Sequence, residues 1–214
     1  MIKAVIFDLD GVLLSTDQLH YKAWKHVADL HEIPFSQEDN HMLRGVSRQE
    51  CAKLILNKTG DQYCEDFKNE FARIKNEYYQ TLLDHLSNED VAPAIIILIR
   101  QLKGMDIKIA IASASCNAVK IIKKTRIDGY IDVLIDGTQV VKSKPDPEIF
   151  LKAAQKLNID VDKCVVIEDS PVGIEAARRA GMKFIAIGER RLHPNVEKVF
   201  SELAIASADE IIQF

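Results

Sequence analysis

The sequence IKAVIFDLDGVLLST, residues 2–16, begins with an apolar run and then turns abruptly polar. The run 4–7, AVIF, is rich in β-branched and aromatic residues and predicts a buried strand. Asp8, Asp10 and Gly11 follow it directly. Parallel strands in α/β folds bind ligands at their carboxyl ends, and glycine lets the backbone turn sharply beside another group. The two aspartates therefore form either an acidic site at a strand end or an ordinary turn.

From about residue 91 onward, apolar runs alternate with helical patterns. Strands are predicted at 108–112, 131–135, 164–167 and 184–187, and helices near 94–103, 117–124, 147–157 and 171–180. This alternation predicts an α/β fold with a Rossmann-like, mostly parallel sheet and helices on both of its faces.

The segment between the first strand and this region has helical patterns throughout. Helices are predicted at 17–33, 37–43, 48–58 and 65–86, with no convincing strand among them. Thr16 or Asp17 is expected to cap the first of these helices. We therefore expect an α-helical cap domain, 16–89, inserted into a discontinuous α/β core domain made of 1–15 and 90–214.

Composition and charge limit the possible partners. The 214 residues carry a net charge of -4, which argues against nucleic acid or an anionic membrane as a partner. The longest apolar run, 92–99, contains Pro93 and is too short to cross a bilayer. The four cysteines show no metal-ligand spacing, and the first residues do not resemble a signal peptide. We expect a cytoplasmic, monomeric protein whose partner is a small molecule.

Polar side chains also lie near later strand ends. Ser113 follows the second predicted strand, Lys144 precedes a Pro-Asp-Pro turn, and Glu168 and Asp169 end the fourth strand. Taken alone, the serine indicates a helix cap and the lysine a solvated loop. Two adjacent acids at the end of a buried strand are costly, however, unless a cation or a donor satisfies them.

In order and in context, these positions and Asp8 resemble the four motifs of the haloacid dehalogenase-like superfamily of phosphotransferases. The resemblance implies that Asp8 is a nucleophile that becomes an aspartyl phosphate. It also implies that Ser113 and Lys144 hold the transferring phosphoryl group. Transfer of a phosphoryl group to a carboxylate brings like charges together, so a lysine and a metal ion are needed to neutralise them.

The same resemblance implies Mg²⁺ as the cofactor. Its ligands would be the carboxylates of Asp8 and Asp169 and the backbone carbonyl of Asp10, with Glu168 adjacent directly or through water. Hard oxygen ligands of this kind suit Mg²⁺. Asp10 also has the position of the family's general acid/base.

The cap sequence narrows the resemblance. His20, Trp24 and the stretch 43–48, LRGVSR, resemble the β-phosphoglucomutase subfamily, which interconverts β-D-glucose 1-phosphate and glucose 6-phosphate through glucose 1,6-bisphosphate. The resemblance implies that Arg48 holds the phosphate that is not transferred, and that His20 couples cap closure to acid/base positioning. It adds Thr16 to the catalytic residues, and it adds to the substrate-binding residues Trp24, Gly45, Val46, Ser47, Lys75, Ala114, Ser115 and Asn117.

Simpler explanations of the cap residues stay open at this point. On those explanations His20 is a surface residue, Trp24 is core packing, and Arg48 is a solvated charge at a helix start. The helix dipole disfavours a cation at that position, which favours an anion-binding role for Arg48.

Three positions depart from the mutase pattern. Ser15 replaces an aspartate, Cys116 replaces a lysine and Ala94 replaces a glycine. The first two leave open a different sugar phosphate, or a Mg²⁺-dependent sugar-phosphate phosphatase in place of a phosphohexomutase. A catalytically inactive binding protein would be favoured by the loss of Asp8 or Lys144, and both are present.

Overall fold

The first strand of the chain lies in the middle of a parallel sheet. In the computed structural model, which describes residues 1–213, the strands are β1 Ala4–Phe7, β2 Lys108–Ala112, β3 Val133–Ile135, β4 Cys164–Glu168, β5 Lys183–Ile187 and β6 Val199–Phe200. Their order across the sheet is β3-β2-β1-β4-β5-β6, and each adjacent pair is parallel. The predicted α/β class with a parallel sheet is confirmed.

The two neighbours of β1 determine where the site lies. Phe7 pairs with Ile111 of β2 on one side and with Ile167 of β4 on the other. The chain proceeds from β1 to β2 and β3, and then crosses over to β4, β5 and β6. In open α/β sheets the ligand crevice lies at such a reversal, outside the carboxyl ends of the strands. Asp8 and Asp169 directly follow β1 and β4 at this point.

Helices cover both faces of the sheet. They are α1 Asp17–Leu30, α2 Gln37–Met42, α3 Arg48–Asn57, α4 Glu65–Leu83, α5 Pro93–Gly104, α6 Ala118–Thr125, α7 Glu148–Leu157, α8 Pro171–Arg179 and α9 Ala208–Ile212. Helices α5, α6 and α9 pack against the face that carries Val5 and Phe7, and α7 and α8 pack against the face of Ala4 and Ile6. Because alternate strand residues point to opposite faces, both faces are apolar and buried. Within residues 1–213, no helix combines the length and the hydropathy that a membrane span needs.

The inserted segment is helical, as predicted. None of residues 16–89 lies in a strand, and their helices α1 to α4 enclose a hydrophobic cluster of their own around Trp24 and Phe71. Helices α1 and α4 also contact the core, where Ala23 and Tyr79 join the larger cluster. We call residues 16–89 the cap and the rest the core; that the cap is a domain with these boundaries stays a prediction.

The structure corrects one prediction about a helix end and adds two elements. Thr16 precedes α1 but does not cap it, because its hydroxyl donates instead to a carboxylate oxygen of Asp10. Strand β6 and helix α9 lie outside the predicted elements, since they have only two and five residues. Single turns of 3-10 helix lie at Asn88–Asp90, Asp128–Tyr130, Val161–Lys163, Arg190–Leu192 and Leu203–Ile205.

Candidate active site

A cavity of about 560 Å³ lies where the cap meets the carboxyl ends of the strands. Most of the predicted site residues line it. From the core these are Asp8, Asp10, Ser113, Ala114, Ser115, Asn117 and Asp169, and from the cap they are Thr16, His20, Trp24, Gly45, Val46, Arg48 and Lys75. Three predicted residues do not line it: Lys144 and Glu168 are buried, and the Ser47 hydroxyl accepts a hydrogen bond from the Glu50 N–H at the start of α3.

Lys144 is buried between two carboxylates. Its Nζ donates to Asp8 Oδ1 at 2.6 Å and to Glu168 Oε2 at 2.7 Å, and also to the carbonyl oxygen of Ala112 at 3.3 Å. Burial opposes the charge on Lys144, but the two carboxylates outweigh it and hold its pKa above the usual value. The lysine is therefore a permanent positive charge directly beside Asp8.

Glu168 is occupied by hydrogen bonds on both carboxylate oxygens. Oε2 accepts from Lys144, and Oε1 accepts from the backbone N–H groups of Asp169 and Ser170 and from the Ser170 hydroxyl, at 2.9–3.1 Å. Gly173 leaves room for it, since a Cβ there would lie 2.0 Å from the Glu168 carboxyl group. Burial alone would raise the pKa of Glu168, but Lys144 and the Ser170 donors leave it below the usual value. In this arrangement Glu168 positions Lys144 and the turn that carries Asp169.

Asp8, Glu168 and Asp169 form an acidic cluster with Lys144 as the cation that pairs with two of its members. Oxygens of Asp8, Glu168 and Asp169 lie within 4.8 Å of one another, and Lys144 pairs with Asp8 and Glu168. Burial raises the pKa of Asp8 to about 8 and that of Asp169 to about 9, and the neighbouring acids add to both shifts. Gly11 permits this approach, because a Cβ there would lie 2.1 Å from Asp169 Oδ2. A hard oxygen-binding divalent cation fits this donor set and would supply the missing positive charge.

Asp10 is held from the cap side. Its Oδ1 accepts the hydrogen bond from Thr16, the residue at which the chain enters α1. Burial raises the pKa of Asp10, and the Thr16 hydroxyl opposes that rise. A carboxyl group with a raised pKa at the edge of a cavity is suited to pass a proton to or from a ligand oxygen.

Four cap residues form a largely buried group beside the cavity. Lys75 Nζ lies 2.9 Å from His20 Nδ1 and sits over the rings of Trp24 and Tyr79, at 4.9 and 4.3 Å from their centroids. Burial lowers the pKa of Lys75 to about 7, and burial together with Lys75 holds the pKa of His20 well below its usual value. His20 is half-buried and lines the cavity, and Trp24, which is buried, both packs in the cap and lines the cavity.

The loop of residues 43–48 brings the cap down onto the core. Arg48 lines the cavity, and its Nε is buried with no hydrogen-bond partner within residues 1–213. Gly45 has a φ of +74°, and a Cβ there would lie 2.5 Å from Ser170 Oγ and 2.8 Å from Val172 Cγ2. The cap is thus closed against the start of α8, with a guanidinium group facing the cavity.

The loop of residues 113–117 is tied to the cap. Ser113 Oγ accepts from the Ser115 N–H at 3.1 Å, and Ser115 Oγ accepts from the Asn117 N–H at 3.2 Å. The Asn117 amide in turn donates to Asn76 Oδ1 at 2.9 Å and accepts from Gln80 Nε2 at 3.3 Å. Both partners belong to α4, so the cap holds this loop in place.

The sequence analysis missed three residues of this region. Arg44 lines the cavity from the cap, Asn76 lines it beside Lys75, and Gln80 completes the contact with Asn117. No local pattern marks them, because their partners lie between 27 and 41 positions away in the chain. The one sequence signal for Asn76 was its position directly after Lys75, which was predicted to bind the substrate.

Comparisons with known proteins agree with this geometry. The profile of the haloacid dehalogenase-like hydrolases matches residues 2–181. The chain is 43% identical over 190 residues to the β-phosphoglucomutase of Bacillus subtilis, covering 88% of this chain and 84% of that relative. It is 33% identical to a phosphorylated carbohydrates phosphatase of Thermotoga maritima, covering 86% and 84% of the two chains.

A solved structure shares the whole fold. The crystal structure of β-phosphoglucomutase from Clostridium difficile superposes with a TM-score of 0.95 at 34% identity, covering 100% of this chain and 96% of the other. The match includes the cap as well as the sheet, because the full chain is covered. The chain therefore belongs to the haloacid dehalogenase-like hydrolase family, and within it to the β-phosphoglucomutases.

Proposed function

We propose that this enzyme is a phosphohexomutase that interconverts β-D-glucose 1-phosphate and glucose 6-phosphate. The reaction proceeds through an aspartyl phosphate on Asp8 and a glucose 1,6-bisphosphate intermediate. Its partner is thus a small phosphorylated carbohydrate, as the names of its relatives indicate for those proteins.

The buried Nε of Arg48 carries this proposal. A guanidinium N–H that is buried without an acceptor is costly, and a phosphate is the acceptor that fits its geometry best. Arg48 lines the same cavity as Asp8 but belongs to the cap, whereas the groups around Asp8 belong to the core. Two separate sites for phosphate in one cavity are needed for a bisphosphate and are unnecessary for hydrolysis of a monophosphate.

Each core residue then has a chemical task. A carboxylate oxygen of Asp8 attacks the phosphorus, and the bond from phosphorus to the sugar oxygen breaks. Asp10 gives its proton to that sugar oxygen, and it takes a proton from a sugar hydroxyl when the phosphoryl group returns. Lys144, held by Glu168, and the Ser113 hydroxyl stabilise the charge on the transferring group.

The cap residues orient the sugar and exclude water. Arg48 and loop 113–117 hold the phosphate that is not transferred, and Gly45 and Val46 let the cap rest close to the core. His20, Lys75 and Thr16 connect the position of the cap to Asp10, since Thr16 bonds that carboxyl group directly. A closed cap protects the aspartyl phosphate from hydrolysis until a sugar arrives.

Mg²⁺ is the cation that we propose for the acidic cluster. Asp8, Asp169 and the backbone carbonyl of Asp10 would hold it, and Glu168 would support it from behind through Lys144 and the Asp169 N–H. When bound, it neutralises negative charge on the phosphoryl group.

A sugar-phosphate phosphatase is the second candidate. It is favoured by Cys116, an exposed neutral residue where the mutase pattern has a lysine, and by the identity to the Thermotoga phosphatase. The two functions differ only in whether a sugar hydroxyl or water accepts the phosphoryl group from Asp8.

One assay separates them. Purified enzyme is given β-D-glucose 1-phosphate, Mg²⁺ and a trace of glucose 1,6-bisphosphate, and the formation of glucose 6-phosphate and the release of inorganic phosphate are measured together. We expect glucose 6-phosphate to form much faster than inorganic phosphate, and neither to form with Asp8→Asn. Phosphate release at the same rate as substrate loss would establish the phosphatase instead.

A further inference from the structure

Arg44 forms a bidentate ion pair with Asp17 within the cap. Its Nε donates to Asp17 Oδ1 at 3.2 Å and its Nη2 donates to Asp17 Oδ2 at 3.1 Å. Asn40 Nδ2 supports the same acid, donating to Asp17 Oδ1 at 2.9 Å and to its carbonyl oxygen at 3.3 Å. The side chain of Asp17 is 17% exposed, so the pair is partly shielded from water.

The two partners occupy critical positions in the chain. Asp17 is the first residue of α1 and directly follows Thr16, whose hydroxyl bonds Asp10. Arg44 directly precedes Gly45 and lies on the loop 43–48 that ends in Arg48. One ion pair therefore joins the segment that supports the general acid/base to the loop that carries the phosphate-binding guanidinium.

The other side-chain hydrogen bonds to loop 43–48 come from within the cap, where the Cys51 thiol donates to the carbonyl oxygens of Leu43 and Val46. Toward the core, Gly45 lies close to Ser170 and Val172, and within residues 1–213 Arg48 Nε has no hydrogen-bond partner. The guanidinium of Arg44 also lines the cavity near Asp169. A loop that must place Arg48 within hydrogen-bonding distance of a phosphate needs a fixed attachment, because small misplacements cost much of the binding energy.

We propose that Arg44 is a positioning residue that ties loop 43–48 to Asp17 at the start of α1. When the cap is closed, this ion pair places Arg48 at the phosphate that is not transferred and keeps Thr16 where it orients Asp10. The inference rests on the proposed mutase function and assigns to it a residue that acts through Arg48 and Thr16 rather than on the substrate. The ion pair with Asp17 requires a guanidinium group at position 44, because a lysine cannot make the two parallel hydrogen bonds.

Four variants test the tie. We expect Arg44→Ala and Asp17→Asn each to lower the mutase kcat/KM by about fivefold, mostly through a higher KM, as befits a partly exposed pair. The double variant should lose no more than either single one, because both remove the same interaction. Arg44→Lys should recover only part of the loss. Lys58→Ala is the control: it removes another cap ion pair, with Asp39, that does not line the cavity.

A measurement without turnover keeps this test separate from the proposed function. Backbone hydrogen exchange of residues 43–48 is followed in the substrate-free protein, with thermal unfolding as a check on the fold. We expect faster exchange in Arg44→Ala and Asp17→Asn than in the native protein or Lys58→Ala. Unchanged exchange in both would overturn the tie, whatever the enzyme's activity. Absence of mutase turnover in the native protein would instead refute the proposed function. If Arg44→Ala does not fold, Arg44→Lys and Asp17→Asn give the same comparison.

Discussion

Replacing Gly45 with alanine tests whether the cap must rest on the core during turnover. The added Cβ would lie 2.5 Å from Ser170 Oγ and 2.8 Å from Val172 Cγ2, and the residue has a φ of +74°. The positive φ costs an alanine about 1–2 kcal/mol whether the cap is open or closed. The contact with α8 costs extra only when the cap is closed, because only then do the two surfaces meet.

The free-energy cost of the Gly45→Ala clash in the closed state sets how far kcat/KM falls. Overpacking a well-packed contact costs about 1–3 kcal/mol, and part of it is relieved by small shifts of the loop. If about 1–2 kcal/mol remains, the closed population falls roughly 5- to 30-fold, at tenfold per 1.4 kcal/mol. We expect kcat/KM for β-D-glucose 1-phosphate to fall by the same factor. Inorganic phosphate released per glucose 6-phosphate formed should rise, because a looser cap admits water to the aspartyl phosphate.

Gly60 provides the matched control. It lies in the cap with a φ of +80°, but a Cβ there would meet nothing within 4 Å. Gly60→Ala therefore carries the backbone strain without the clash, and it should lower stability with little effect on kcat/KM. Adding Val172→Ala to Gly45→Ala should recover part of the lost activity. Equal kinetic effects of Gly45→Ala and Gly60→Ala would refute the reasoning about closure.

Three further substitutions test the chemistry. Asp8→Asn should abolish both product formation and the phosphorylated form seen by mass spectrometry. Arg48→Ala should lower mutase kcat/KM roughly 10- to 150-fold through loss of a charge-assisted bond. It should affect phosphorylation of Asp8 by acetyl phosphate far less, and equal losses would contradict the second phosphate site. Lys75→Met should stabilise the fold while reducing turnover. The pKa of Lys75 is about 7 in the folded chain against 10.5 unfolded. The free-energy cost of burying the charged form of Lys75 therefore has its full value below pH 7 and disappears as the pH rises to about 10.5. We expect a gain of roughly 2–5 kcal/mol in the free energy of unfolding at pH 6, as measured by denaturant titration, and no gain near pH 11.

The sheet and the ends of its strands were predictable from sequence because their signals are local. The strand at 108–112 has the observed bounds, and the acids after β1 and β4 meet because the carboxyl ends of parallel strands share one edge. By contrast, β6 pairs over only two residues, Val199 and Phe200, and follows charged Glu197 and Lys198. So short an edge strand has no apolar run to reveal it.

Other features depend on contacts that no local pattern encodes. Thr16 has the residue type of a helix cap, but its hydroxyl donates instead to Asp10, which the turn at residues 10–14 brings close to it. The role of Glu168 depends on Lys144, which is 24 positions away in sequence and only 2.7 Å away in space. The sequence alone cannot show that Glu168 is held by Lys144 and the Ser170 donors; that it lies at the metal, directly or through water, stays a prediction.

The insertion of the cap at a single place has a consequence for how such enzymes diversify. The cap side of the cavity comes from one uninterrupted stretch, 16–89, whereas the residues that we propose for phosphoryl transfer come from loops spread along the rest of the chain. We therefore expect that recombination which exchanges this stretch would change the acceptor preference in one step and leave the reactive groups in place. The donor segment would have to match the contacts across the seam, such as Thr16 with Asp10, Asn76 with Asn117, and the packing of Tyr79 on the core.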